Sequence, residues 1–179
     1  LIYIVTLYNY NSLHKAQDLL EIEHQKSETL LLNILPPVIA NRLKASDAVI
    51  ADRTNEATIL FADVVGFTVL SQTMEPEKLV ALLNDLFTEF DAITKAYNLE
   101  KIKTIGDAYM VAGGIPESRK DHCEAVALCA LEMQSIMRKG ISQELQDFKV
   151  RIGIHTGPVV AGVIGKSKFI YDLWGDSVN

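Results

Sequence analysis

Short runs rich in β-branched and aromatic residues alternate along the chain with stretches of helical periodicity. The runs at 57–65, 99–105, 108–113, 147–155, 158–164 and about 168–173 read as strands. Leu79, Leu82, Leu83, Leu86, Phe87 and Phe90 recur at helical spacing, which predicts an amphipathic helix over 75–97 with that stripe toward the core. A second helix is predicted over 120–139. Gly106-Asp107 between two apolar runs is a two-residue hairpin signal, and Gly157-Pro158 marks another turn. The order βαββαβ is the ferredoxin-like plan, an α+β domain whose antiparallel sheet carries its helices on one face.

Upstream the pattern changes. Leu13, Ala16, Leu20, Ser27, Leu31 and Ile34 fall near coiled-coil spacing, so 11–35 reads as a long N-terminal helix that Pro36-Pro37 stops. Its seam is polar around His24 and Ser27, which leaves a helix docked on its own domain as the alternative to a coiled coil. A short helix at 38–44 and a polar connector through Asn55 lead to the first strand. Leu1 to Tyr10 is strongly apolar but too short to span a bilayer. It is either the cytoplasmic end of a transmembrane helix or the apolar start of a packed one. The expected divisions are 1–10, a linker or signalling helix at 11–45, and a main domain at 46–179. With no initiator Met, the chain reads as excised from a longer protein.

A net charge of −6 and the absence of basic clusters argue against nucleic acid as a partner. Cys123 and Cys129, the only cysteines, are six apart in a helical segment and project from different sides, so no disulfide between them is expected and a reducing compartment fits. No Cys/His set has zinc-ligand spacing.

The candidate chemistry rests on two aspartates flanked by strand residues. Asp63 ends the run Phe61-Ala62-Asp63-Val64-Val65-Gly66-Phe67-Thr68, and Asp107 sits at the predicted hairpin tip. A carboxylate at the end of an apolar strand is costly unless a cation or donor compensates it. In a βαββ order the two can share one sheet edge, where they repel unless something positive lies between them. Magnesium takes one or two protein carboxylates and completes its shell with phosphates, which points to phosphate chemistry. Gly66 lets the chain approach a ligand closely, and Thr68 offers a hydroxyl donor or cap.

Four segments then resemble the motifs of class III nucleotidyl cyclases, in order and at that family's spacing. They are Phe61 to Thr68, Lys101-Ile102-Lys103-Thr104-Ile105-Gly106-Asp107-Ala108-Tyr109, Arg151-Ile152-Gly153-Ile154-His155-Thr156-Gly157, and Tyr171-Asp172-Leu173-Trp174-Gly175-Asp176-Ser177-Val178-Asn179. Asn33-Ile34-Leu35-Pro36-Pro37 with Arg42-Leu43 resembles the helical segment that precedes the domain in membrane-bound members.

The resemblance implies that Asp63 and Asp107 hold two Mg²⁺ (or Mn²⁺) ions, with Val64 adding a backbone carbonyl. It implies that Gly66, Phe67 and Thr68 form the turn beside the triphosphate, and that Arg151 is basic on the phosphate side. The alternative for Arg151 is a strand residue with its head in solvent. Lys103 and Asp172 match the pair that selects the base, and Asn179 the transition-state asparagine. A Lys donates to adenine N1 and an Asp accepts from N6, whereas guanine presents the reverse pattern, so ATP is favoured over GTP.

One chain holds both residue sets, which implies a head-to-tail homodimer with shared sites. An upstream sensor or membrane domain would act through the N-terminal helix. The expected location is a cytoplasmic domain tethered to the inner face of the cell membrane. The family's pattern continues beyond Asn179 with an arginine and a lysine, so the domain reads as C-terminally incomplete. The rivals are a guanylyl cyclase and a non-catalytic dimerising or nucleotide-sensing module. His155 is read as a packed core histidine, Trp174 as a core or dimer contact, and Cys123 as structural.

Overall fold

The computed structural model describes residues 2–46, 48–140, 148–165 and 168–179, with side chains throughout these except at 2 and 4–12. The expected strand start at 147, residue 1 and the side chains of 4–10 lie outside the described residues. The chain divides into two compact units, 1–47 and 48–179.

The first unit is a pair of helices, α1 (Ile2–Leu32) and α2 (Pro37–Ala45). Helix α1 runs unbroken through the expected boundary at residue 11 and ends at Leu32 rather than 35. Pro36 caps α2 and Pro37 opens it, where a missing N–H costs nothing. The Lys44 ammonium pairs with Glu28 and holds its carboxyl below the usual range. Leu13, Leu19, Leu20, Ile22 and Leu30 are exposed on α1. Among the described residues no helix is long and apolar enough to cross a membrane.

The second unit runs β1 (Ala51–Val64), α3 (Phe67–Thr73), α4 (Pro76–Ala96), β2 (Glu100–Ile105), β3 (Ala108–Gly113), α5 (His122–Lys139), β4 (Val150–Ile164) and β5 (Ile170–Trp174). All pairings are antiparallel, in the order β2-β3-β1-β4-β5. The predicted ferredoxin-like plan is present, extended by a fifth strand. Leu60, Ala62 and Val64 of β1 and Tyr109 and Val111 of β3 face Leu82, Leu86, Phe90 and Ile93 of α4 and Val126, Cys129, Ala130 and Met133 of α5. Two-residue alternation therefore puts Ile59, Phe61 and Asp63 on the opposite face. The sheet curls until its edge strands β2 and β5 touch, and Ile59, Met110 and Ala112 are buried on that second face.

Three expectations are corrected. Strand β1 begins at Ala51, inside the stretch read as a polar connector, because 51–54 pairs with 159–162 of β4. A short helix, α3, precedes the one expected from residue 75. The strands expected at 147–155 and 158–164 are one strand: Pro158 falls where the β1–β4 register is irregular, and Gly157 continues the ladder. A Cβ at 157 would lie 2.3 Å from Ser177 Oγ, so any larger residue there must displace the Ser177 side chain.

Gly157→Ala is expected to destabilise the unit by about 1–3 kcal/mol. Adding Ser177→Ala should recover part of the loss in urea titrations, and equal stability of both variants would refute the contact. Burial pushes the Glu100 carboxyl, at the start of β2, up to about 7. A folded-state value above the unfolded one means that the neutral acid's contribution is intact at low pH and is lost as pH rises through 7. Glu100→Gln should therefore stabilise the protein at pH 8 by up to about 3 kcal/mol and converge with the parent near pH 4. Parallel pH–stability curves would contradict this.

Candidate active site

Asp63 is the next-to-last residue of β1 and lies opposite Ala108 on β3 and Arg151 on β4. The β2–β3 turn Gly106-Asp107 directly precedes Ala108, so register alone sets Asp107 beside Asp63. Their proximity is felt electrically: burial first, then the Asp63 charge, raises the Asp107 carboxyl above its ordinary value, against the lowering effects of a backbone hydrogen bond and of Arg151. A guanidinium already answers this negative charge, since Arg151 Nη2 donates to Asp63 Oδ2 at 2.5 Å. Arg151 is 77% exposed, so the pair is screened and contributes little to stability. Its head is neither wholly in solvent nor fixed.

The following turn is built by backbone conformation. Val64 is buried in the core, and the Val65 N–H donates to the Lys149 carbonyl at 2.8 Å. Gly66 holds φ at 80°, a left-handed value that favours glycine, and its carbonyl accepts from the N–H groups of Val69 and Leu70. Phe67 packs partly against the core while Thr68 is exposed at the start of α3. With Asp63, Asp107 and Arg151, this turn forms one charged corner of the domain.

A second group lies across the curled sheet. Lys103 Nζ of β2 pairs with Asp172 Oδ2 of β5 at 2.5 Å, and the Leu173 N–H donates to Asp172 Oδ1 at 2.8 Å. Asp172 is only 14% exposed, so both of its oxygens are engaged in a half-dry setting. A third group, Asn179 with Asp176, Ser177 and Val178, lines a cleft of about 380 Å³ together with Phe61, Gly153 and His155. His155 is exposed in that cleft, which corrects its reading as a core histidine. The core histidine is His122 at the start of α5, whose Nδ1 bonds Thr58 Oγ1 at 2.7 Å. Trp174 is 37% exposed, and neither cysteine is in a disulfide.

The donor set suits a hard divalent cation. Among the described residues no three His, Cys, Asp or Glu side chains cluster for metal binding. Two carboxylates, one of them already drawing a cationic side chain, are the protein share that Mg²⁺ takes when phosphates supply the remainder.

Residues 49–179 match the family model of the adenylate and guanylate cyclase catalytic domain. An adenylate cyclase of Mycobacterium bovis is 45% identical over 166 residues, 92% of this chain and 38% of that protein. The rat guanylate cyclase soluble subunit beta-2 is 44% identical over 162 residues, 89% of this chain and 24% of that protein. The chain thus spans well under half the length of either. Among solved structures, the catalytic core of a rhodopsin-guanylyl cyclase with converted specificity, in complex with ATPαS, superposes with a TM-score of 0.68. It is 37% identical and covers 72% of this chain and 70% of that one. The chain belongs to the adenylate and guanylate cyclase catalytic domain family.

Proposed function

We propose that this domain is an adenylate cyclase that converts ATP to 3′,5′-cyclic AMP and pyrophosphate, at sites shared between two copies of the chain. The observation that carries the choice of base is the Lys103–Asp172 pair. Adenine offers an acceptor at N1 and a donor at N6, so a lysine and a carboxylate held side by side complement it. Guanine would set its N1–H against the lysine and its O6 against the carboxylate, leaving four half-dry polar groups mismatched. Relatives of both kinds are similarly close, so residue chemistry rather than overall likeness supports ATP.

Asp63 and Asp107, with the Val64 carbonyl, are the residues that would hold two Mg²⁺ or Mn²⁺ ions. When bound, such ions lower the pKa of the ribose 3′-hydroxyl and neutralise charge on the triphosphate. Arg151 holds Asp63 only through an exposed contact, so a triphosphate competes for its guanidinium readily. The turn Gly66-Phe67-Thr68 would lie along the phosphates, and Asn179, reaching from its cleft, would orient the ribose. The reaction itself is an in-line displacement: the 3′-oxygen bonds to the α-phosphorus as the bond to the pyrophosphate oxygen breaks.

One chain carries both the acidic corner and the purine pair, which supports a homodimer whose sites take the first from one copy and the second from the other. The cytoplasmic, membrane-tethered placement and an upstream sensor acting through α1 belong to the same proposal. They are motivated by the apolar start of the sequence.

Cyclic AMP, and little cyclic GMP, should form with Mg²⁺ or Mn²⁺, and Asp63→Ala should abolish it. No product from either nucleotide in a folded dimer would favour the non-catalytic module. Lys103→Glu should lower kcat/KM for ATP by at least about 100-fold. Mixing the inactive Asp63→Ala and Lys103→Glu chains should restore about a quarter of parental activity, since half the dimers then contain one intact site. A mixture as inactive as its components would exclude shared sites.

A further inference from the structure

Lys101 and Lys103 stand two apart on β2, an edge strand, and a regular strand would point both toward the same face. They point to opposite faces. Lys101 pairs with Val111 of β3 and Lys103 with Met110, so β2 contains one residue more than its partner between them. This bulge at Ile102 leaves Lys101 on the helix side, where Val111 belongs to the core, and turns Lys103 over to Asp172.

On the helix side of the sheet one acid contacts both strands of the hairpin. Asp91, on α4, accepts from Lys101 Nζ at 2.6 Å to one oxygen and 2.9 Å to the other. Its Oδ1 also accepts from the Tyr109 hydroxyl at 2.5 Å. Tyr109 is fully buried on β3, packed between Phe87 and Phe90, and the Lys101 ammonium sits 5.1 Å from its ring centre. One carboxylate therefore grips both strands of the hairpin, two residues from Lys103 on one strand and two from Asp107 on the other. An edge strand paired on one side only is free to slip by a residue, and a slip here would turn Lys103 toward the helices.

We propose that Asp91 is a positioning residue for base selection: by clamping Lys101 and Tyr109 it fixes the β2 bulge that aims Lys103 at Asp172. The inference rests on the reading of Lys103 and Asp172 as the purine pair. The consequence is a preference for ATP set from the far side of the sheet by a residue that touches no nucleotide.

The test is equilibrium binding of ATP and GTP, by displacement of a fluorescent nucleotide, together with kcat and KM for both, in the full protein. Asp91→Asn should reduce the ATP-over-GTP preference at least tenfold, equivalent to about 1.4 kcal/mol, mainly through KM for ATP. Asp91→Glu should restore part of it. Lys101→Met, which removes only a partly exposed ammonium and keeps the aliphatic stem, should shift the preference the same way and serves if Asp91→Asn does not fold.

Lys103→Glu is run alongside. If it collapses the preference while the folded Asp91 and Lys101 variants keep it, the clamp is refuted and the purine pair stands. If Lys103→Glu leaves the preference unchanged, the purine reading fails and the clamp with it. Equal losses for both nucleotides in the Asp91 and Lys101 variants would reduce Asp91 to a structural role and overturn the proposal.

Discussion

A β-strand has only two faces to give its residues, and in β1 both are committed. Leu60, Ala62 and Val64 go under α4 and α5, which leaves Phe61 and Asp63 on the other side. Because β3 and β4 both pair with β1, the residues opposite Asp63 are set on each flank. They are Ala108, next to the turn that carries Asp107, and Arg151. The acidic corner is thus a product of register. A slip of one residue would move Asp63 into the packed layer beneath the helices, where an ionised carboxylate is several kcal/mol worse off. The core that stabilises the domain and the corner proposed to bind metal and phosphate are two faces of one alternation.

That dependence explains what was legible in the sequence. The hairpin turn at Gly106-Asp107, the placement of Asp63 at the end of β1 and the helical stripe are local patterns; Leu82, Leu86, Phe87 and Phe90 of the stripe meet the core, while Leu79 and Leu83 are only half-buried at its edge. The start of β1 at 51–56 was not legible, because Asp52, Arg53, Thr54, Asn55 and Glu56 show no apolar alternation; 51–54 pair with β4, and Asn55 and Glu56 fall in the irregularity of that ladder. Gly157-Pro158 reads as a turn by composition. The fold uses the same dipeptide for a close approach to Ser177 and for an irregularity in the ladder. The expectation of a core histidine at 155 failed for a similar reason. His155 sits in an apolar motif yet lines a cleft, while His122, among polar neighbours, is buried on Thr58. Burial of a single polar side chain depends on what packs over it, which spacing does not encode. The acid that grips the hairpin, Asp91, is likewise invisible in sequence, since its partners lie 10 and 18 residues away on two other elements.

The charged residues of the site occur as partners of unequal strength, and the inequality bears on how a nucleotide could be received. Arg151 and Asp63 meet at the surface, where an ion pair contributes roughly 0–1 kcal/mol and is exchanged for another partner at little cost. Lys103 and Asp172 meet in a drier place, and Asp172 is further held by the Leu173 N–H. Separating them without replacement would leave two poorly solvated charges, a penalty larger than that of an exposed pair. On the proposed reading, a base entering between them would have to supply an acceptor to the ammonium and a donor to the carboxylate. If Lys103 and Asp172 are the purine pair proposed above, they would reject a mismatched purine through the cost of their own disruption, with no steric barrier needed. On this argument discrimination is as good as the aim of Lys103, and that aim is set by a one-residue bulge in an edge strand.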